Sequence, residues 1–373
     1  MIIYGWPSGV SYSHWQFWSD RGLHHIMHEQ NVSHVFLLGF QNLHNHNSLL
    51  FLLLLLIYCV TICANVIIIV LVSMNKILHS PMYFFISQVS SLDILMTTDI
   101  LPNLLHLVLH DGASMSLVAC FSQFFVFANS ETSELLILTV MSYDRYLAIC
   151  NPLRYNTIIN KAFCVNSVIA SWSLSFLLLL KNEIDICKLS FCGPNVIDHF
   201  FCDFPPVLEL SCSDTSLIKI QSTLFGIIVV ICPFIVIIVS YVYIITTILS
   251  IHSISGRQKA FSTCSSHLSV VCIFFGTIFS VYMVPNKGHL LATSKVLSLL
   301  YTVVVPLVNP FIYSLRNKDF NVAFEKSFPV FSLSIPPLSP EDQKMWQKED
   351  KSHRVKPEND KMLKPLLKVC SCQ

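Results

Sequence analysis

The sequence predicts an all-α membrane protein: a bundle of seven transmembrane helices with its N-terminus outside the cell and its C-terminus in the cytosol. Composition is the first reason, because 53% of the residues are hydrophobic and only 12% are charged. The mean hydropathy of +0.62 also lies above the usual range of soluble domains. The second reason is that seven apolar stretches can each cross a hydrocarbon layer of roughly 30 Å, which takes about 20 helical residues. These stretches are residues 49–72, 82–109, 121–147, 163–180, 217–249, 268–284 and 295–315.

The distribution of basic residues gives the orientation. Lys and Arg are concentrated in the loops after the first, third and fifth stretches and at the start of the tail, and such loops stay in the cytosol. The basic residues are Lys76, Arg154, Lys161, Arg257, Lys259, Arg316 and Lys318. The sequon Asn31-Val32-Ser33 then lies outside, where glycans are added, so we expect a glycan on Asn31.

Three regions follow from composition. Residues 1–26 are an atypical N-terminal extension, predicted to be disordered, without the continuous apolar core that a signal peptide needs. Residues 27–320 form the seven-helix domain. Residues 321–373 are a long polar cytosolic tail, predicted to be disordered beyond a short helix because it is rich in Pro, Lys and Glu.

Composition and motifs argue against several other classes of protein. The net charge of +1 provides no basic field for nucleic acid. The chain has ten glycines and contains none of the patterns GxGxxG, GxxxxGK or GxSxG, so neither a phosphate-binding loop nor a hydrolase elbow is predicted. His24, His25 and His28 could bind a metal, but solvated histidines on a flexible arm are the simpler interpretation. We therefore expect no enzyme, no cofactor and no metal.

The third stretch sets a depth scale for the membrane. Cys120 and Arg145 are 25 residues apart, about 37 Å at 1.5 Å per residue, so they mark the outer and cytosolic ends of the helix. Glu134 lies 11 residues from Arg145, about 16 Å deep and near the midplane. Similar depths are expected for Asn65, Asp93 and Asn309. Because a carboxylate in hydrocarbon needs a partner, a proton or water, this polar layer is either a cation or proton site coupled to helix movement, or a set of bonds between helices.

Five cysteines are predicted to lie outside, in an oxidising compartment where disulfides form. They are Cys120, Cys187, Cys192, Cys202 and Cys212. The most economical arrangement joins Cys120 to Cys202 and Cys192 to Cys212, which leaves Cys187 free, but spacing alone does not choose among the pairings. The run from His199 through Cys202 to Asp203 has a spacing found in metal sites, although a cysteine in a disulfide is a poor ligand.

Several motifs resemble those of the olfactory receptors in the rhodopsin-like G-protein-coupled superfamily. The resemblance covers about residues 31–320, and each motif lies at the appropriate end of its stretch. The motifs are Leu78-His79-Ser80-Pro81-Met82-Tyr83-Phe84-Phe85, Met141-Ser142-Tyr143-Asp144-Arg145-Tyr146-Leu147-Ala148-Ile149-Cys150-Asn151-Pro152, Ser240-Tyr241, Lys259-Ala260-Phe261-Ser262-Thr263-Cys264-Ser265-Ser266-His267 and Pro306-Leu307-Val308-Asn309-Pro310-Phe311-Ile312-Tyr313-Ser314-Leu315-Arg316-Asn317. The chain departs from the family at Phe275, where Tyr is usual.

The resemblance implies a ligand pocket among the third, fifth and sixth helices. Its residues would be Phe127, Ala128, Glu131, Thr132, Phe225, Val229, Ile278, Phe279 and Tyr282. Most are apolar, which suits small volatile molecules bound by burial and shape. Glu131 is the exception: it either orients a polar or basic ligand, or is satisfied by Thr132 or water.

The resemblance also implies coupling to a stimulatory, olfactory-type heterotrimeric G protein that raises cAMP, at the plasma membrane of olfactory cilia. The residues implied in coupling or switching are Asp144, Arg145, Tyr146, Tyr241, Lys259, Ser262, His267, Asn309, Pro310 and Tyr313. A simpler interpretation of Arg145 is that it extends to lipid phosphates. The alternative function is a non-olfactory rhodopsin-like receptor for another small ligand.

Overall fold

A computed structural model describes residues 33–40, 47–192, 195–283, 291–315 and 317–328. The long helices are α1 (Asn47–Met74), α2 (Pro81–His110), α3 (Leu117–Cys150), α4 (Lys161–Cys187), α5 (Ser216–Ser250) and α6 (Ile254–Met283). Helix α7 consists of Leu291–Leu299, the π-helical segment Leu300–Val304 and Val305–Leu315, and α8 is Lys318–Ser327. Shorter elements are the 3₁₀ turn Lys76–Leu78 and the helices Pro152–Ile158 and Phe204–Glu209. Asn31 lies outside the described residues.

Seven helices have membrane-spanning character. Among the described residues, six are long and apolar enough to cross a membrane, and α6 contributes a shorter apolar section, Cys264–Ser280. In the apolar windows of α2 and α3, 56% of the residues are buried, against 28% in those of α1 and α5. Helices α2 and α3 therefore lie at the centre of the bundle, while α1 and α5 present wide apolar faces to lipid.

Two helices are longer than the apolar stretches predicted within them. The fourth stretch was placed near residues 163–180, whereas α4 continues to Cys187. Helix α6 begins at Ile254, although its apolar section, Cys264–Ser280, lies close to the predicted stretch 268–284. Hydropathy detects only the part of a helix that lies in lipid, whereas both helices continue into water. The extension of α4 is supported by an ion pair of 3.0 Å between Lys181 and Asp185, four residues apart on one helical face.

A small three-stranded sheet was not predicted. Strand β1 (His34–Leu37) lies between β2 (Ala113–Ser116) and β3 (Val196–Ile197), antiparallel to the former and parallel to the latter. Strands of two to four residues are too short to show an alternating sequence pattern. Gly112 precedes β2 with a φ of 132°, and a Cβ there would come within 2.6 Å of the Phe36 ring, so this turn requires glycine.

Two disulfides join the loop after α4 to itself and to α3. Cys120 pairs with Cys202 and Cys192 with Cys212, with Cα–Cα distances of 5.4 and 5.8 Å. These are the pairs that were the most economical from the sequence. Cys187, at the end of α4, is free and exposed.

Candidate functional site

A buried polar cluster is built from three helices, at the level that the sequence predicts for the membrane midplane. Asn309 of α7 places its Nδ2 3.3 Å from both carboxylate oxygens of Asp93 on α2 and 3.3 Å from Oε1 of Glu134 on α3. All three side chains are at most 1% exposed. Within the described part of the chain, no basic side chain pairs with either acid. One amide therefore holds two carboxylates at the point where α2, α3 and α7 meet.

Two further polar groups flank this cluster differently. Tyr313 lies one helical turn beyond Asn309, and its buried hydroxyl makes no hydrogen bond with a described residue. Asn65 does not bond to the acids: its Nδ2 donates to the carbonyls of Thr61 and Pro306, each at 3.1 Å. The predicted layer is thus a cluster of Asp93, Glu134 and Asn309, with Asn65 joining α1 to the backbone of α7.

The C-terminal part of α3 carries a buried ion pair. Arg145 pairs with Asp144, its Nε donating to Asp144 Oδ2 at 2.9 Å. The other carboxylate oxygen accepts a 2.7 Å hydrogen bond from the hydroxyl of Tyr155, in the short helix after α3. Burial and the adjacent Asp144 raise the pKa of Tyr155, so this hydroxyl stays protonated and donates. Asp144 therefore holds both Arg145 and the following cytosolic loop.

Helix α6 is joined to α3 and α5 through His267. His267 places Nε2 3.2 Å from the Leu138 carbonyl of α3 and Nδ1 2.7 Å from the Tyr241 hydroxyl of α5. A bond to the carbonyl needs a proton on Nε2, so a neutral ring accepts the Tyr241 hydroxyl at Nδ1. His267 is fully buried. Three helices are therefore held together by two hydrogen bonds through one imidazole.

Other predicted coupling residues are placed less specifically. Tyr146 lies on α3 with its ring 5.9 Å from that of Tyr243 on α5. Pro310 is buried inside α7 directly after Asn309. The side chains of Lys259 and Ser262 lie outside the described residues.

The outer half of the bundle is filled by aromatic rings around Phe127 of α3. The ring of Phe127 lies 5.2 Å from that of Phe201 in the extracellular loop and 5.6 Å from that of Tyr301 in the π-helical segment of α7. A π-helical segment inside an α-helix is frequently associated with a functional site. Phe127 is buried, so the loop and α7 cover this face of α3.

The other predicted pocket residues lie on three helices. Half-buried side chains are Ala128, Glu131 and Thr132 on α3, Phe225 and Val229 on α5, and Ile278 and Phe279 on α6. The side chain of Tyr282 lies outside the described residues. The Glu131 carboxylate makes no hydrogen bond or ion pair with any described residue.

Two cavities lie at other places. One, of about 230 Å³, is lined by the outer end of α2 and by β2, including Asn103, His106 and Ser114. A groove of about 540 Å³ lies at the surface between α3 and α4, beside Asn129 and Trp172. The pocket assignment therefore remains a prediction.

The three-stranded sheet and the loop after α4 form what we call the extracellular cap. Burial determines the charge states of its titratable side chains. Lys295 of α7 is 8% exposed; its Nζ donates to the Gly39 carbonyl at 2.9 Å and pairs with Asp198. Burial and the nearby Lys295 lower the pKa of His199 to about 3, so its ring is neutral at physiological pH. Burial raises the pKa of Asp203 to about 6, although its carboxylate accepts a hydrogen bond from the Phe204 amide at 2.8 Å.

Comparisons with known proteins identify the family. The family model described as olfactory receptor matches residues 54–329. Olfactory receptor 11L1 of Homo sapiens is 45% identical over 303 residues, covering 80% of this chain and 94% of that protein. The chain belongs to the olfactory receptor family. Olfactory receptor 5A1 of Homo sapiens is 43% identical, with 79% and 94% of the two chains covered, and olfactory receptor 1f45 of Rattus norvegicus is 39% identical, with 83% and 97% covered.

Family membership establishes an odorant receptor of the multi-pass plasma-membrane type, a signalling protein rather than an enzyme. Sequence reasoning missed three residues of this receptor that join distant segments: Tyr155, Lys295 and Tyr83. Tyr155 and Tyr83 lie in or beside motifs that were recognised. The partner of Tyr155 lies on the other side of a proline, and the partners of Tyr83 lie far along the chain. Lys295 was noted only as the start of the seventh stretch. A lysine at the edge of an apolar stretch signals a boundary, and its burial depends on the extracellular cap.

Proposed function

We propose that this olfactory receptor binds a small, largely apolar volatile molecule among α3, α5 and α6 and activates a stimulatory heterotrimeric G protein to raise cAMP. The observation that carries the proposal is the closed cytosolic end. Arg145 is held by Asp144, and His267 holds α6 against α3 and α5. A G protein that binds this end must first separate these contacts.

Ligand shifts an existing equilibrium between closed and open cytosolic ends. In the open state the Asp144–Arg145 pair and the His267 contacts are released, and Arg145 with the segment 259–267 meets the G protein. Tyr241 and Tyr313 then stabilise the open state. A ligand moves this equilibrium only by its difference in affinity for the two states, so it must contact helices that move.

The ligand pocket is assigned to the residues around Phe127 and Glu131. Apolar side chains contribute burial, while Glu131, with no described hydrogen-bond partner, orients a polar or basic group of the ligand. Such a carboxylate discriminates ligands more strongly than a difference of one methyl group, because an unmatched buried polar group is costly.

The midplane cluster serves as a cation or proton site coupled to helix movement. Two carboxylates that share one amide in a buried position need a proton or a cation to offset their repulsion. Because Asp93, Glu134 and Asn309 belong to three different helices, occupancy of the site changes when these helices move. The agonist response of the wild-type receptor should therefore depend on sodium concentration. Asp93→Asn and Glu134→Gln should lose this dependence, and unchanged sodium sensitivity in both variants would contradict the assignment.

The orientation places the N-terminus outside and the tail in the cytosol. It is supported by the basic loops and by the disulfides at the end of the bundle opposite Arg145. A glycan on Asn31 belongs to the same proposal, as do a seven-helix domain at 27–320 and a separate polar tail at 321–373. Glycosidase treatment of wild-type receptor and Asn31→Gln should shift only the wild-type band.

The experiment that tests the function is a cAMP reporter assay with an odorant panel. The full chain and a form starting at Met27 are expressed in cultured cells, and surface expression is measured with an antibody against an N-terminal tag. At least one small volatile compound should raise cAMP above vector-only cells. A receptor that is at the surface and silent across a broad panel, while a known odorant receptor responds, would contradict the proposal.

A further inference from the structure

The extracellular cap connects the N-terminal segment to the interior through a continuous series of aromatic rings. The ring of Phe40 stacks on that of Phe200 at 5.6 Å, Phe200 lies 5.1 Å from Phe201, and Phe201 lies 5.2 Å from Phe127. Tyr301 of α7 completes the series at 5.6 Å from Phe127. The rings of the cap therefore cover the buried face of α3 from outside.

Main-chain hydrogen bonds join the N-terminal segment to the loop in this cap. Leu38 donates to the Ile197 carbonyl at 3.0 Å, and Gly39 donates to the His199 carbonyl at 3.1 Å. The two segments consequently behave as one unit, which we call the lid: residues 33–40 together with residues 196–201.

The lid is attached to the bundle in two different ways. At one edge the disulfide between Cys202 and Cys120 fixes the loop covalently to α3. Four residues earlier, Asp198 is held on α7 only by its ion pair with Lys295, which also donates to the Gly39 carbonyl at 2.9 Å. The Asp198 side chain is 37% exposed, so water competes for it, whereas the Lys295 side chain is 10% exposed. One attachment is permanent and the other can be released.

We infer that Lys295 is the releasable contact of this lid, and that its bonds to Asp198 and Gly39 set how often the interior around Phe127 opens to the extracellular side. Lys295 is a positioning residue, because it acts on access through the lid and does not line the face of Phe127. The cysteine pair acts as the hinge. When the bonds from Lys295 to Asp198 and Gly39 break, the stacked rings of Phe40 and Phe200 are no longer held on α7.

Accessibility of a cysteine beneath the lid tests this inference without an agonist. Phe127→Cys is introduced in a Cys187→Ser background, and intact cells are treated with a cationic or an anionic membrane-impermeant methanethiosulfonate. Modification at position 127 is followed by mass spectrometry. Lys295→Gln and Asp198→Asn should each raise the rate constants of both reagents about threefold, since water screens an ion pair in which the Asp198 side chain is partly exposed. Lys295→Arg should remain near the wild-type rate.

The native Cys187 is the matched control, because it is exposed on the same side and outside the lid. In a chain with Phe127 unchanged, its rate should not respond to Lys295→Gln. Equal acceleration at Cys187 would indicate general loosening and overturn the inference, as would unchanged rates at position 127. A rate that rises for only one of the two reagents would indicate altered local potential and also overturn it. If Lys295→Gln does not reach the surface, the partly exposed Asp198→Asn decides the question.

Because no ligand response is measured, failure of this inference is distinguishable from failure of the proposed pocket. If the modification rates show no role for Lys295, the proposal of odorant-evoked cAMP signalling still stands. If no odorant in the panel raises cAMP, the difference in modification rates still supports the role of Lys295.

Discussion

Asp144 is the residue on which the cytosolic contacts converge. One carboxylate oxygen holds the Arg145 guanidinium and the other accepts the Tyr155 hydroxyl. A buried carboxylate is stable only when its acceptor positions are satisfied, so each partner lost makes the closed state less favourable. The motif around Arg145 indicated the ion pair. The contact with Tyr155 was not predictable from periodicity, because Pro152 starts a separate helix between the two residues.

Removing the Tyr155 hydroxyl should raise basal signalling. A hydrogen bond to a charged group contributes about 1.5–3 kcal/mol. Only the part of this energy that favours the closed state over the open state changes the equilibrium. We therefore expect basal cAMP to rise about threefold in Tyr155→Phe. The measurement is agonist-free cAMP normalised to surface expression. Tyr143→Phe is the control, since its hydroxyl bonds to none of the described residues. Equal basal cAMP levels in wild type and Tyr155→Phe would show that the Tyr155 hydroxyl does not favour the closed state.

Asp203 gives a prediction about pH and stability. Burial raises its pKa from 3.8 to about 6, so between these values the folded state binds the proton more tightly than the unfolded chain. Stability therefore increases as pH falls through this window, and at pH 7.4 the buried charge is unfavourable. Asp203→Asn retains an oxygen that accepts the Phe204 amide, and should raise Tm by about 2 °C at pH 7.4 but not near pH 4.5.

Asp214 provides a control of opposite sign for the thermal unfolding of purified receptor. Its pKa is lowered by hydrogen bonds from Ser216, so its charged form is favoured in the folded state. Asp214→Asn should not raise Tm at pH 7.4. A similar Tm for wild type and Asp203→Asn at both pH values would show that the buried charge costs nothing.

At the scale of elements, α8 is attached to the cytosolic end of the bundle by specific contacts. The Tyr83 hydroxyl of α2 lies 3.0 Å from Asn317 Oδ1 and 2.9 Å from Asp319 Oδ2, and it donates to one of them at a time. At the other end of α8, Asn75 donates to the Ser327 hydroxyl at 3.1 Å. Composition predicted only a short helix here, and the attachment depends on residues more than two hundred positions away.

Loss of the Tyr83 hydroxyl should loosen α8 without displacing it. In Tyr83→Phe the edge-on packing against Phe320 is kept, at a ring distance of 5.3 Å in the wild type, while the hydrogen bond is lost. Amide hydrogen exchange in 318–327 should become about fivefold faster, as expected for a contact of about 1 kcal/mol. Tyr243→Phe, on the exposed side of α5, should leave this exchange unchanged. Unchanged exchange in Tyr83→Phe would contradict the role of the hydroxyl.

For the whole molecule, hydropathy and motifs predicted the parts whose physics is local. The seven-helix bundle is confirmed, and Asn309 contacts both Asp93 and Glu134, whereas their depth in the membrane stays a prediction. The extracellular cap was not predictable, because β1 pairs with strands far along the chain and the burial of Lys295 depends on that pairing. Contacts between distant segments leave no periodic signal in one sequence.

The central claim is that odorant signalling passes through Arg145 at the cytosolic end of α3. The direct test is odorant-evoked cAMP for wild type, Arg145→Ala and Arg154→Ala, each normalised to surface expression. Arg154 is exposed in the adjacent short helix, so Arg154→Ala also removes one arginine and serves as the matched control. The account predicts that Arg145→Ala abolishes the response while Arg154→Ala retains it. An Arg145→Ala receptor at the surface with a wild-type response would contradict the account.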